Sequence, residues 1–280
     1  MNKVRRVLKI TFYEFRLMLF SSRFVVLSLL SFLFMDMAMR PVREFAADFG
    51  LSITPAVLPF YFADVTYCNI AFLLLIFLYS DVPLKGAGQR FLLQRGKSMA
   101  ECGMGHLFAM SLMGIVFVSE QVLFSVLTAL PAITMEGWGK VWGSIASGQA
   151  VNLGYTFSLG VSDVVLRNYT PLQAVAVSAV IFFLTGCIYG LLEYLLNGLS
   201  GGRLGTVVLA VWSVGWLFLQ KSFFSGTRKL LTYSPSSWND LSRFELSESL
   251  GRMVVLVVAA LILAMVALVL VRRRKIELVK

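Results

Sequence analysis

Residues Asp81–Gly105 read DVPLKGAGQRFLLQRGKSMAECGMG, a polar bridge between two long apolar runs. Lys85, Arg90, Arg95 and Lys97 outweigh Asp81 and Glu101 in it, so the bridge is basic. Its middle carries the apolar triplet Phe91-Leu92-Leu93, which a solvated loop does not need. The run before it, Tyr61–Tyr79, is uninterruptedly apolar from Ile70 to Leu78, and the run after it extends over His106–Leu130. Runs of this length and composition are membrane spans. A basic loop between spans belongs on the cytoplasmic side, and an apolar patch on such a loop reads as a docking surface for another protein.

The rest of the chain agrees with a membrane setting. Apolar residues make up 58% of it and charged residues 14%, against about 25% charged in soluble chains, and the mean hydropathy is +0.79. Working outward from the bridge, spans are expected at about 24–39, 61–79, 106–130, 172–196, 204–219 and 253–271. Pro41–Phe60 mixes charges with Pro55 and Pro59 and reads as an outer excursion. The stretch Val141–Ser162 lacks charge, but its Gly, Ser, Asn and Gln keep it only marginally hydropathic. A seventh span there would also put Arg272-Arg273-Arg274-Lys275 outside, so it is read as part of an outer loop.

With six spans both termini lie on one side, and the charges give that side its identity. Sixteen of the 25 cations and five acids fall there, a balance of +11, while nine cations match nine acids on the other side. The positive-inside rule makes the first side cytoplasmic. The net charge of +10 therefore reports topology, and no nucleic-acid-binding motif accompanies it.

Ahead of the first span, residues 2–20 have helical periodicity. Val4, Leu8, Phe12, Phe15 and Leu19 line one face, and Arg5, Arg6, Lys9 and Arg16 gather on another side. That pattern predicts an amphipathic helix lying in the membrane interface, with its cations toward lipid headgroups.

Few residues carry chemistry. Glu120-Gln121 falls near the centre of the third span, where a charge costs about 2.5–3.5 kcal/mol; a helix interface, a subunit contact or a translocation path is expected there. Cys68, Cys102 and Cys187 are widely spaced, and His106 is the only histidine, so no metal site or catalytic triad can be assembled. Tyr61, Tyr79, Trp138, Trp142, Trp212, Trp216 and Trp238 cluster at the inferred boundaries and read as interface anchors. Gly96-Lys97-Ser98 imitates the end of a phosphate-binding loop, but Phe91 stands where that loop needs its first glycine. Leu199-Ser200-Gly201-Gly202-Arg203 imitates an ATPase signature but lies in a tight turn between spans four and five. ATP hydrolysis is not expected of this chain.

Taken in order, several short pieces resemble the permease subunits of ABC-2-type transporters. They are the amphipathic N-terminal helix, Ile53-Thr54-Pro55 with Pro59-Phe60, Asp81-Val82-Pro83-Leu84, and Phe91-Leu92-Leu93-Gln94-Arg95-Gly96. Trp138-Gly139-Lys140, Pro171-Leu172-Gln173-Ala174 and Tyr233-Ser234-Pro235 with Trp238 complete the set, so the likeness covers nearly the whole chain. The resemblance implies an all-α integral membrane protein: an interfacial "elbow" helix, then six transmembrane helices in the ABC-2 permease fold. It also implies a re-entrant extracellular loop over residues 220–250.

Within the bridge, the resemblance puts a coupling helix on Gly88–Arg95, with Leu84, Gln89, Arg90, Phe91, Leu92 and Arg95 meeting an ABC-type ATPase. Two copies of that ATPase would hold ATP and Mg, and a second permease subunit would complete a homodimer or heterodimer in the bacterial cytoplasmic membrane. No cofactor and no nucleic acid are expected on this chain itself. The implied function is export, with an amphipathic or antimicrobial-type peptide as the first expectation for cargo. A membrane scaffold or sensor that binds an ATPase without moving a substrate is the alternative.

Overall fold

A computed structural model describes residues 3–80, 99–200, 202–220, 235–243 and 246–278. Among these, the regular elements are all helical, and one isolated parallel bridge joins Ile53 to Ile133. The protein is an all-α membrane protein with four helices long and apolar enough to cross a bilayer, Ser22–Asp48, Ala100–Ala129, Pro171–Ser200 and Leu246–Val269. Two shorter apolar helices, Val65–Tyr79 and Leu204–Leu219, pack among them.

The chain opens with α1 (Lys3–Leu19) and turns at Ser21 into α2 (Ser22–Asp48). Ser21 caps α2 by accepting from the Phe24 amide at 3.1 Å. Its helix outruns the expected end near Met39 by nine residues and passes through Pro41. Proline normally breaks a helix interior by removing a donor and crowding the preceding turn. Here tertiary contacts prevail, because Val42, Phe45 and Ala46 are buried and Arg43 pairs with Asp36 at 2.6 Å. Pro41–Phe60 is thus helical at its start rather than a loop throughout.

The second apolar run is split. Short α3 (Leu58–Ala63) stops at Asp64, whose carboxylate caps α4 (Val65–Tyr79) by accepting from the Thr66 and Tyr67 amides at 2.8 and 3.1 Å. Beyond residues 81–98 comes α5 (Met99–Ala129), which begins seven residues earlier than the sequence pattern implies. Three short helices follow, α6 (Gly139–Ala146), α7 (Gln149–Asn152) and α8 (Asp163–Asn168). Gly148, at φ +75°, takes the left-handed conformation that separates α6 from α7. The uncharged stretch Val141–Ser162 therefore forms no membrane-length helix.

Long α9 (Pro171–Ser200) and α10 (Leu204–Gln220) make a tight hairpin, then come α11 (Pro235–Asn239), a 3-10 turn at Leu241–Arg243 and α12 (Leu246–Leu278). Side-chain contacts fix the directions. Ser28, Phe32 and Arg43 of α2 meet Glu120, Phe124 and Thr128 of α5, so these two run parallel. Arg23 reaches the end of α4 at the Phe77 carbonyl and Ser80, which makes α4 antiparallel to them. Ser249 of α12 meets Tyr169, whereas Leu268 shares a cavity with Met104. Hence α1 and the later turns of α12 lie at the same end of the bundle, and the short helices cap the other.

The core runs through the middle as a stack of aromatic rings. Phe62 lies on Phe182 at 4.1 Å, Phe182 on Phe72 at 4.5 Å, and Phe72 on Tyr189 at 4.9 Å. Fully buried aromatics contribute large apolar areas with preferred offset geometry, and this stack ties α3, α4 and α9 together. In contrast, α12 turns most of its apolar residues outward, Val254, Val255, Leu261 and Met265 among them.

Candidate functional site

At the bundle end that adjoins the bridge, α1 lies against the start of α5. Val7, Ile10, Thr11, Glu14 and Met18 recur at helical spacing and form its buried face. Contact is close because Gly105 has no side chain: a Cβ there would sit 2.4 Å from Ile10 Cγ2. Thr11 donates to the Gly105 carbonyl at 3.3 Å and to its own Val7 carbonyl at 3.0 Å.

Two polar pairs flank that close approach. Arg6 donates to Glu101 from Nε at 2.9 Å and from Nη2 at 2.8 Å, a forked geometry in which Glu101 is nearly fully buried. The hydrogen bond to Glu101 raises the Arg6 guanidinium further above its ordinary pKa. Eight residues along α1, the Glu14 carboxylate lies 2.6 Å from His106 Nδ1, both side chains buried. The His106 ring in turn faces Tyr194 of α9 at 5.8 Å. These two pairs clamp α1 to the helix that follows the bridge in sequence.

This arrangement corrects the two-sided view of α1. It has three sectors: a buried one on α5, an exposed apolar one with Val4, Leu8 and Phe12, and a cationic one with Arg5, Lys9 and Arg16. Phe15 and Leu19, expected on the membrane face, are half-buried against the core. Arg6 belongs to the clamp and not to the headgroup-facing group. Only one cue in the sequence pointed to this, the acid Glu14 standing inside a basic helix.

Further along the membrane, Glu120 leaves α5 toward α2. The Ser28 hydroxyl lies 3.1 Å from both of its oxygens. The next residue, Gln121, is fully buried and donates to the Ser31 hydroxyl, one turn beyond Ser28, at 2.6 Å. Glu120 and Gln121 therefore mark a helix–helix contact, with Ser28 and Ser31 the partners that sequence pattern did not single out. Small hydroxylated residues suit such contacts, because they let helices approach and still satisfy a polar group. No cation stands within ion-pair distance of Glu120 among the described residues.

The α9–α10 turn holds another buried acid. Thr206 donates to Glu193 at 2.5 Å, and the Gly205 amide donates to Asn197 at 2.9 Å. A Cβ on Gly205 would come within 2.6 Å of the Glu193 carbonyl oxygen. These contacts account for a tight turn at the ATPase-like Leu199–Arg203 segment, of which Gly201 lies outside the described residues.

At the opposite end, pieces distant in sequence meet. Trp142 is fully buried and donates its indole N–H to the Thr54 carbonyl at 2.8 Å, while the Thr54 hydroxyl donates to the Gly137 carbonyl at 2.8 Å. Phe60 packs on Trp138 and Trp142 at 5.5 and 5.1 Å, and Trp138 donates to the Tyr169 carbonyl at 2.8 Å. Trp142, Tyr61 and Tyr79 are thus interior packing residues and not boundary anchors. Tyr155 donates to Asp48 nearby, a bond that raises the phenol above its usual pKa.

The expected coupling residues Leu84, Gln89, Arg90, Phe91, Leu92 and Arg95 lie outside the described residues, as does residues 221–234 of the expected re-entrant loop. Among the described residues, no group of histidine, cysteine and acidic side chains has the makings of a metal site. No family model matches the chain, and no curated protein or solved structure matches it either.

Proposed function

We propose that this chain is the transmembrane permease subunit of an ATP-driven exporter of the ABC-2 type. In this reading it spans a bacterial cytoplasmic membrane six times with both termini cytoplasmic. A separate ABC ATPase, in two copies, binds ATP and Mg and pushes on the bridge, and a second permease subunit completes the pathway. An amphipathic peptide is the favoured cargo.

The observation that carries the reading is the clamp of α1 onto α5. A load applied to residues 81–98 enters α5 at its first turn, and Arg6–Glu101 and Glu14–His106 oblige α1 to follow. The same helix carries Glu120 into contact with α2 about 28 Å further on, at 1.5 Å per residue. A soluble motor acting through a loop needs a rigid continuation of this kind.

The test uses the bridge itself. Burying one aromatic of the size of Phe91 is worth about 1.5–3 kcal/mol, and truncating a central anchor costs roughly 2 kcal/mol or more in binding. Phe91→Ala is therefore expected to weaken ATPase retention and ATP-dependent efflux more than Lys85→Ala does. An ATPase that stays bound to a parent protein unable to move any substrate would favour the scaffold instead.

A further inference from the structure

The clamp fixes the roll of α1, and with it the direction of the side chains that the bundle leaves uncovered. On a helix turning about 100° per residue, Arg5, Lys9 and Arg16 fall within about 40° of one another. They form a single line about 17 Å long at 1.5 Å per residue. All three are exposed, and among the described residues none of them makes an ion pair. The nearby acids are engaged elsewhere: Glu14 is buried against His106, and Glu101 holds Arg6.

This line of cations lies along a hollow of about 660 Å³ on the outer surface of α1, and apolar side chains flank it on both sides. Leu8 and Phe12 stand on one flank, Leu17 and Phe20 on the other, all of them exposed and Phe20 by 76%. A cationic face turned wholly to water has no use for apolar borders. A phospholipid satisfies both parts, because its phosphate oxygens accept from guanidinium and ammonium groups while its acyl chains cover the apolar flanks. Charge then selects the headgroup. A zwitterionic one carries its own cation beside the phosphate, whereas a net-negative one leaves its charge for the protein.

We propose that this face of α1 is a saturable site for a membrane phospholipid of net negative headgroup, its phosphate held by Arg5, Lys9 and Arg16. A helix merely resting in the interface collects lipid without a fixed place for it; here the Arg6–Glu101 and Glu14–His106 pairs hold the three cations and their apolar borders in one orientation. The assignment does not depend on the transport reading or on which side of the membrane is internal, because lipid binding is measured directly.

Full-length protein in maltoside is titrated with dioleoyl phosphatidylglycerol or with dioleoyl phosphatidylcholine, which share their acyl chains, and bound lipid is counted by native mass spectrometry. Saturable binding of the phosphatidylglycerol, about tenfold or more tighter than that of the phosphatidylcholine, is expected. Replacing Arg5, Lys9 and Arg16 together by Gln changes only exposed side chains, so it should bring the two lipids to within about twofold at an unchanged thermal midpoint. Lys140→Gln removes an exposed cation from the opposite end of the bundle and should leave the preference intact. Phe20→Ser should weaken both lipids alike, since it removes an apolar flank and no charge. A preference that survives the triple variant, or that Lys140→Gln abolishes, would overturn the assignment. So would displacement of the bound lipid by millimolar inorganic phosphate or by hexaglutamate, which would mark a site for free anions or for acidic peptides.

Discussion

Arg6 and Glu101, 95 positions apart, are joined by two hydrogen bonds of 2.9 and 2.8 Å. If this forked pair holds the two helices together, exchanging the charges should restore what either single reversal destroys. Arg6→Glu alone brings two acids together, and Glu101→Arg alone two cations. Each single variant should lower the thermal midpoint and expose α1 to protease, and the double variant should recover most of both. A double variant no better than the singles would show that the pair does not hold α1.

The second pair is more deeply buried and should cost more to break. His106→Ala leaves the Glu14 carboxylate enclosed without its partner, a change that typically destabilises by about 3–5 kcal/mol. Replacing both, as Glu14→Leu with His106→Leu, removes the unpaired charge and should be much milder, because apolar side chains of similar size often substitute for a buried ionic pair. Thermal unfolding of the three proteins in one detergent would check the order.

Between the pairs, Gly105 sets how near α1 can come. Gly105→Ala pushes a methyl group into Ile10 and should destabilise by about 1–3 kcal/mol, the usual range for overpacking. Ile10→Ala in the same chain opens the space and should return part of the loss. Gly143→Ala, where a Cβ meets nothing, is the control and should unfold like the parent.

What could be read in the sequence, and what could not, follows from the range of the interactions. The apolar helices were legible because their signal is local: a bilayer demands a long run such as Ile70–Leu78 or Leu172–Leu196 wherever it is crossed. Helix ends were less so. Asp64 looked like one more residue of a continuous span, and only its capping bonds to Thr66 and Tyr67 show the break. The first span was expected to end near residue 39, and buried Val42 and Phe45 carried the helix past it and through Pro41. Least legible were pairings across the chain. Glu14 with His106 and Glu120 with Ser28 are set by which helices adjoin, and periodicity along one helix carries no information about its neighbour.

The exposed C-cap of α6, Ser147, gives a direct test of orientation. It lies at the capped end, away from α1, which the proposed topology puts outside. Ser147→Cys should react with an impermeant maleimide added outside intact cells, with Cys68, Cys102 and Cys187 replaced beforehand. Reaction only from the cytoplasmic side would reverse the proposed topology.

Glu120 separates a structural role from a charge-dependent one. Its polar contacts among the described residues are those with the Ser28 hydroxyl at 3.1 Å, and no cation stands in ion-pair reach among them. An amide keeps an acceptor for that hydroxyl and carries no charge, so Glu120→Gln should assemble and unfold like the parent. Glu120→Lys puts a cation at the same depth, where insertion costs about 2.5–3.5 kcal/mol and Ser28 offers no countercharge. Membrane yield and thermal stability of the Lys variant should both fall. Ser28→Ala should weaken the α2–α5 contact by the roughly 0.6 kcal/mol that interhelical hydrogen bonds average in membranes, a loss best read from a cycle with Glu120→Gln. If the Gln variant fails to assemble while Ser28→Ala does not, the carboxylate serves a partner other than Ser28, and a facing subunit becomes the place to look for it.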